Sequence, residues 1–263
     1  MPTTDSSGAK VHYLDTGNGK DVVLLLHAFP LHSGMWSRQI AALSPRFRVI
    51  APDYPGLGKS TPRPEPSTME FLAEQVLEVL GNVRVDRAVV VGLSMGGYLC
   101  FELYRRRPGL FRGLALCDTR PGADTPEGAA GREAFAKNAL EKGLHWVADE
   151  MTPKVLRPAP DAAAVKEVRH LIGQGTPAGV AAAQRGMARR VDSTPTLATI
   201  TCPTIVVVGA EDTLTPVPES EKMVAAIKGA KLAKIPGAGH LPNIENPAEF
   251  DRVLMEFAAG LPK

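Results

Sequence analysis

With 263 residues, 44% of them hydrophobic and 22% charged, the chain has the size and make-up of one globular domain with room for an insertion. Thirty Lys and Arg against twenty-eight Asp and Glu leave a formal charge of +2, which excludes the basic footprint of a nucleic-acid binder or of a protein held on an anionic membrane. No run reaches membrane-spanning length, no basic-then-apolar leader is seen, and Cys100, Cys117 and Cys202 are too few and scattered for a disulfide framework or a zinc site, so a cytoplasmic protein is expected.

Lys10 to Asp15 alternates as an early strand, and Asp21 to Phe29 carries Val-Val-Leu-Leu-Leu, the pattern of a strand buried on both faces. A helix is predicted over Gly34 to Leu43, then a strand over Arg48 to Asp53 and a Gly/Pro-rich loop from Pro55 to Pro66. Ser67 with Glu70 reads as a capping box opening a helix to about Gly81. Strand Ala88–Leu93, helix Met95–Arg107 and strand Leu110–Cys117 follow, an alternation that implies a doubly wound, mostly parallel α/β sheet. From Thr119 to Thr199 the rhythm breaks into helical stretches, roughly 126–143, 144–156, 161–173 and 177–190. Pro126 and Pro177 each follow a Thr, the residue order of a helix start. We therefore expect a core of residues 1–118 and 200–263 with a helical cap, 119–199, inserted after the strand that ends near Asp118. Strand 204–208, helix 218–227, strand 231–235 and helix 247–259 complete the core.

The residues that carry chemistry sit where strands end. Gly92-Leu93-Ser94-Met95-Gly96 lies between strand 88–93 and the helix from Met95. A sharp strand-to-helix turn lifts a serine hydroxyl clear of the sheet and needs nearly side-chain-free positions two before and two after it, which Gly92 and Gly96 supply; Gly97 adds room for helix–strand approach. The helix N-terminus puts N–H groups beside the reacting oxygen. A serine nucleophile needs a base and the base an orienting acid. Asp212 in Gly209-Ala210-Glu211-Asp212 and His240 in Pro236-Gly237-Ala238-Gly239-His240 follow the next strands at the same sheet edge, in the order Ser…Asp…His.

With these motifs the sequence resembles the α/β hydrolases along nearly its whole length, and within them the capped carboxylesterases and the related arylesterase, cofactor-free haloperoxidase and enol-lactonase branches. His27-Ala28-Phe29-Pro30, Pro52-Asp53-Tyr54-Pro55-Gly56-Leu57-Gly58-Lys59-Ser60, Gly92 to Tyr98, Cys117-Asp118-Thr119-Arg120 and Gly239-His240-Leu241-Pro242 carry the likeness. The resemblance implies an oxyanion hole from the backbone N–H groups of Phe29 and Met95. It also exposes a departure, Ala28 where the family has Gly: strained if φ is positive there, otherwise narrowing the oxyanion pocket.

Asp118, which also ends a strand, is the rival for the acid. Asp53 is expected to hold loops together and His27 to brace the oxyanion loop, while His12, His32, His145 and His170 read as surface or cap residues. His27, Trp146, Met151, Met187 and Leu241 are the candidate pocket residues, all but His27 apolar, and no cationic residues gather into an anchor for a charged substrate, Arg120 at the cap entrance being the one exception. The expected activity is a serine carboxylesterase acting on small to medium esters through an acyl-enzyme, with no metal, cofactor, nucleic-acid or membrane partner. A lactonase or perhydrolase/haloperoxidase activity, and a slow ligand-receptor homologue, are the alternatives.

Overall fold

Runs of Val, Ile and Leu that are apolar on both faces belong in a sheet covered on both sides. The computed structural model, which describes residues 3–6, 9–63 and 66–262, puts them there. β1 (Thr3–Ser6), β2 (Ala9–Thr16), β3 (Val22–Leu26), β4 (Arg48–Pro52), β5 (Ala88–Leu93), β6 (Phe111–Cys117), β7 (Thr204–Gly209) and β8 (Lys231–Ile235) form one sheet in the order β1-β2-β4-β3-β5-β6-β7-β8. β1–β2 and β2–β4 are antiparallel and the remaining pairs parallel. β5 and β7 are buried along their whole length. The α/β, doubly wound, mostly parallel sheet anticipated above is thus the fold. β1, whose Thr-Thr-Asp-Ser carries no apolar pattern, was not anticipated.

The helices are α1 (Ser37–Leu43), α2 (Met69–Asn82), α3 (Met95–Arg106), α4 (Pro126–Val155), α5 (Ala162–Ile172), α6 (Pro177–Ala188), α7 (Thr194–Leu197), α8 (Val217–Ala226), α9 (Pro242–Glu245) and α10 (Pro247–Ala259). The cap of α2 is Thr68 rather than Ser67: Thr68 Oγ1 accepts from Phe71 N at 3.3 Å. Ser67 instead gives its backbone N–H to Ala182 O on α6. Residues 64 and 65 of the predicted loop lie outside the described residues.

Between β6 and β7 the chain is helical, α4 to α7. Thr125 and Thr176 cap α4 and α6 by accepting from Gly128 N at 3.1 Å and Gly179 N at 3.0 Å. Gly143, at φ 77°, breaks α4 into two stretches at the boundary expected between residues 143 and 144. This insertion is held to the core backbone against backbone. Thr176 N and Oγ1 both donate to Gly56 O, at 2.8 and 2.9 Å. A Cβ on Gly179 would collide with Gly56, and one on Gly186 with the Ser67 carbonyl. Among the described residues no helix is long and apolar enough to cross a membrane.

Candidate active site

β5 runs straight into α3, and the residue at the junction, Ser94, takes φ 54°, ψ −112°. A non-glycine residue adopts that conformation only when its surroundings impose it. They do so here by removing every alternative. A Cβ on Gly92 would collide with Gly96 O, one on Gly96 with Leu26 O, and one on Gly97 with the Thr119 side chain. Ser94 N donates to Cys117 O at 2.9 Å, and Thr119 Oγ1 donates to Ser94 O at 2.8 Å, tying the turn to the end of β6.

β7 and β8 deliver the next two groups. His240 Nδ1 lies 2.8 Å from Asp212 Oδ2, with both side chains buried. Asp212 also accepts from Leu214 N at 2.8 Å, Thr215 N at 3.2 Å and Thr215 Oγ1 at 2.6 Å. Burial would raise its carboxyl, but His240 and Thr215 outweigh that and hold it at about 2. Against an ionised Asp212, Nδ1 is the nitrogen that carries the hydrogen, which leaves Nε2 as the position where a proton can be taken up.

Asp118 sits one layer behind. It is wholly buried at φ 43°, and its Oδ1 accepts from Gly209 N at 2.8 Å, while Oδ2 has no partner among the described residues. Burial first, and the Asp212 carboxylate next, push its carboxyl well above the usual range. The carboxylate on the imidazole is that of Asp212, and the environment of Asp118 disfavours its ionised form.

The loop after β3 is braced as expected. His27, wholly buried, stacks on Tyr54 at 3.8 Å between centroids, and its Nε2 accepts from Tyr54 N at 3.1 Å. Nδ1 must then carry the hydrogen and donate to Ala28 O at 3.0 Å. Burial lowers this imidazole to about 4, so it stays neutral. Ala28 is not among the residues with positive φ, so the alanine is unstrained. Phe29 N–H has no hydrogen-bond partner among the described residues, and Met95 N–H, at the first position of α3, has no carbonyl four residues back in the helix. Asp53 accepts from Ser33 N at 2.8 Å, Lys59 N at 3.0 Å and His12, joining the turn after β3 and its own loop to β2. His12 and His32 are buried, against the expectation of surface positions; His145 and His170 lie on the insertion's exterior.

Ser94 and His240 open into one cavity of about 310 Å³ beneath the insertion. Phe29, Met151 and Met187 line it, as do Tyr98, Phe135 and Gln184. Three candidate pocket residues do not. His27 and Leu241 are wholly buried in the core, and Trp146 packs behind Phe135 at 4.9 Å between centroids. The cavity is also more cationic than expected, because Arg132 and Lys154 join Arg120 in its wall.

The model of the alpha/beta hydrolase family matches residues 23–253. The chain belongs to the α/β hydrolase family. Among its relatives, 3-oxoadipate enol-lactonase 1 of Acinetobacter baylyi is 31% identical over 87% of this chain and 85% of that protein. The pimeloyl-[acyl-carrier protein] methyl ester esterase of Nitrosomonas europaea is 28% identical over 92% and 97%. A thermophilic esterase from Thermogutta terrifontis, solved with malate bound, superposes with a TM-score of 0.93 at 36% identity, covering 98% of this hydrolase and 96% of that chain.

Reading the sequence of this α/β hydrolase missed Thr119 and Thr215. Asp212 closes an Asx turn on Leu214 N two residues on, which brings Thr215 back onto its carboxylate, and the turn-forming habit of Asp is the signal that could have found it. Asp118, Asp212 and His240 have ligand atoms within 4.8 Å of one another, a grouping that could hold a metal ion. Asp212 and His240, however, already spend theirs on each other and on Thr215.

Proposed function

We propose that this hydrolase is a serine carboxylesterase for small to medium esters. The observation that carries the reading is a serine strained at φ 54° on a strand-to-helix turn, sharing a cavity with a histidine whose Nδ1 is held 2.8 Å from a buried carboxylate. Ser94 Oγ gives its proton to His240 Nε2 and attacks the ester carbonyl, while the N–H groups of Phe29 and Met95 stabilise the oxyanion. His240 returns the proton to the leaving alcohol, and a water deprotonated by His240 then releases the acid. Asp212 orients the imidazole and stabilises its protonated form. The insertion α4–α7 acts as the cap that shapes the cavity.

Hydrolysis of p-nitrophenyl butyrate tests this. Ser94→Ala is expected to lose about 10³-fold or more in kcat, and Asp212→Asn about 10³- to 10⁴-fold. Activity that persists in Ser94→Ala overturns the mechanism. The likeness to an enol-lactonase favours lactone hydrolysis as the second reading, since ring opening uses the same acyl-enzyme route. A panel of γ-lactones assayed beside the esters separates the two.

A further inference from the structure

The wall of the cavity holds a charge imbalance that the ester chemistry does not use. Asp124, buried on the loop between β6 and α4, sits among three guanidinium groups. Arg132 Nε hydrogen-bonds it, Arg190 Nη2 lies 2.7 Å away, and Arg120 Nη2 lies at 3.6 Å. One carboxylate against three cations leaves two positive charges at the edge of a low-dielectric space. Burial would raise the Asp124 carboxyl, but Arg190 and Arg132 hold it down at about 2, so it stays ionised and neutralises no more than one of them.

The three arginines are not equivalent. Arg190 is buried, stacked over the Tyr98 ring at 4.4 Å, and donates to Gly122 O and Met187 O. Arg132 donates to Gln184 Oε1 at 2.9 Å as well as to Asp124. Arg132 and the Nε and Nη1 groups of Arg190 are spent on hydrogen bonds to the protein, and Arg190 Nη2, which makes none, is held in the ion pair with Asp124. Arg120 makes no hydrogen bond among the described residues, its Nε is buried without a partner, and its side chain is 40% exposed while lining the cavity. A buried guanidinium donor left unsatisfied is unfavourable until an acceptor arrives. The chain also sets Arg120 beside the reaction centre, next to Thr119, whose hydroxyl holds the Ser94 carbonyl.

We infer that Arg120 is the anchor of an anion subsite, and that the substrates are esters carrying a free carboxylate, such as half-esters of short dicarboxylic acids. A planar fork of donors suits a carboxylate. A cavity of about 310 Å³ suits a short chain between the carboxylate and the ester. The substrate class rests on the esterase reading above; the binding of the carboxylate does not.

The test compares anionic with neutral esters in two arms: mono-p-nitrophenyl glutarate against p-nitrophenyl butyrate, and 4-acetoxybenzoate against phenyl acetate. The first puts the carboxylate on the acyl side, the second on the alcohol side. In one arm the anionic-to-neutral ratio of kcat/KM is expected to fall about tenfold or more in Arg120→Gln, chiefly through KM, and to be partly kept in Arg120→Lys. Calorimetric titration of glutarate and of 4-hydroxybenzoate into Ser94→Ala, with and without Arg120→Gln, reads binding without turnover. A ratio that Arg120→Gln leaves unchanged in both arms, or binding of both anions indifferent to Arg120, overturns the subsite. If the wild type turns over none of the four esters while anion binding still depends on Arg120, the subsite stands and the esterase reading falls.

Discussion

Replacing Asp118 by Asn should stabilise this protein, by an amount that grows with pH. In the native state the Asp118 carboxyl is pushed well above its usual range, because the side chain is wholly buried and faces an ionised Asp212. The unfolded chain releases the carboxyl proton near pH 3.9. Between about pH 3.9 and the raised native value, the folded state binds one proton more than the unfolded state, so stability falls as pH rises, by about 1.4 kcal/mol per unit. Below about pH 3.9 both states are protonated and the loss vanishes; above the native value it levels off. The amide of Asp118→Asn has no such proton to hold, yet it keeps an oxygen for the Gly209 N–H, bonded at 2.8 Å. Its NH₂ can donate toward Asp212, and asparagine tolerates a φ of 43° better than most residues. Urea unfolding of wild type and variant at pH 5, 6 and 7 is the assay, with every other titrating group cancelling in the difference. The stability gap should widen with each step in pH that stays below the raised native value, by no more than about 1.4 kcal/mol per unit. A gap independent of pH would mean that Asp118 is ionised in the fold and would refute the reasoning.

Two further substitutions probe the scaffold of the site. Gly96→Ala drives a methyl into the Leu26 carbonyl, a backbone atom that cannot swing aside, and should cost about 1–3 kcal/mol and lower kcat with it. An unchanged melting temperature would show that the turn has slack. Asp124→Asn leaves Arg190 buried beside Arg132 with no counter-charge and should destabilise by about 3–5 kcal/mol in thermal or urea melts; a loss below about 1 kcal/mol would contradict a desolvated cluster.

What could be read from the sequence follows how local each signal is. Ser94, Asp212 and His240 stand at the ends of β5, β7 and β8, and strand runs of Val, Ile and Leu can be found without knowing their neighbours. The glycines around Ser94 were legible for the same reason, since their close contacts lie within the turn or at the strand beside it. The Asp124 cluster was not. Its partners come from α4 and the turn after α6, 8 and 66 residues further along, and nothing in the helical periodicity of those segments says that their arginines converge. The pocket residues divide the same way: Met151 and Met187 line the cavity, while Trp146 has the right composition and the wrong layer. The shift of the α2 cap from Ser67 to Thr68 has a tertiary cause, because Ser67 is engaged by Ala182.

The contacts between the insertion and the core bear on how substrates come and go. Swinging α6 away as a flap would break the bonds from Thr176 to Gly56 and from Ser67 to Ala182 together. It would also pull apart glycine backbones that have no side chains to stretch across the gap. The part of the cavity wall that can move without breaking these bonds is made of side chains, among them Arg120, Lys154 and the exposed Leu214. Exposed side chains change rotamer in ps–ns, far faster than turnover, so turnover should be insensitive to hinge substitutions that free the flaps of other enzymes. If Arg120 anchors a carboxylate as proposed, the group that selects the substrate also stands in the movable part of the wall.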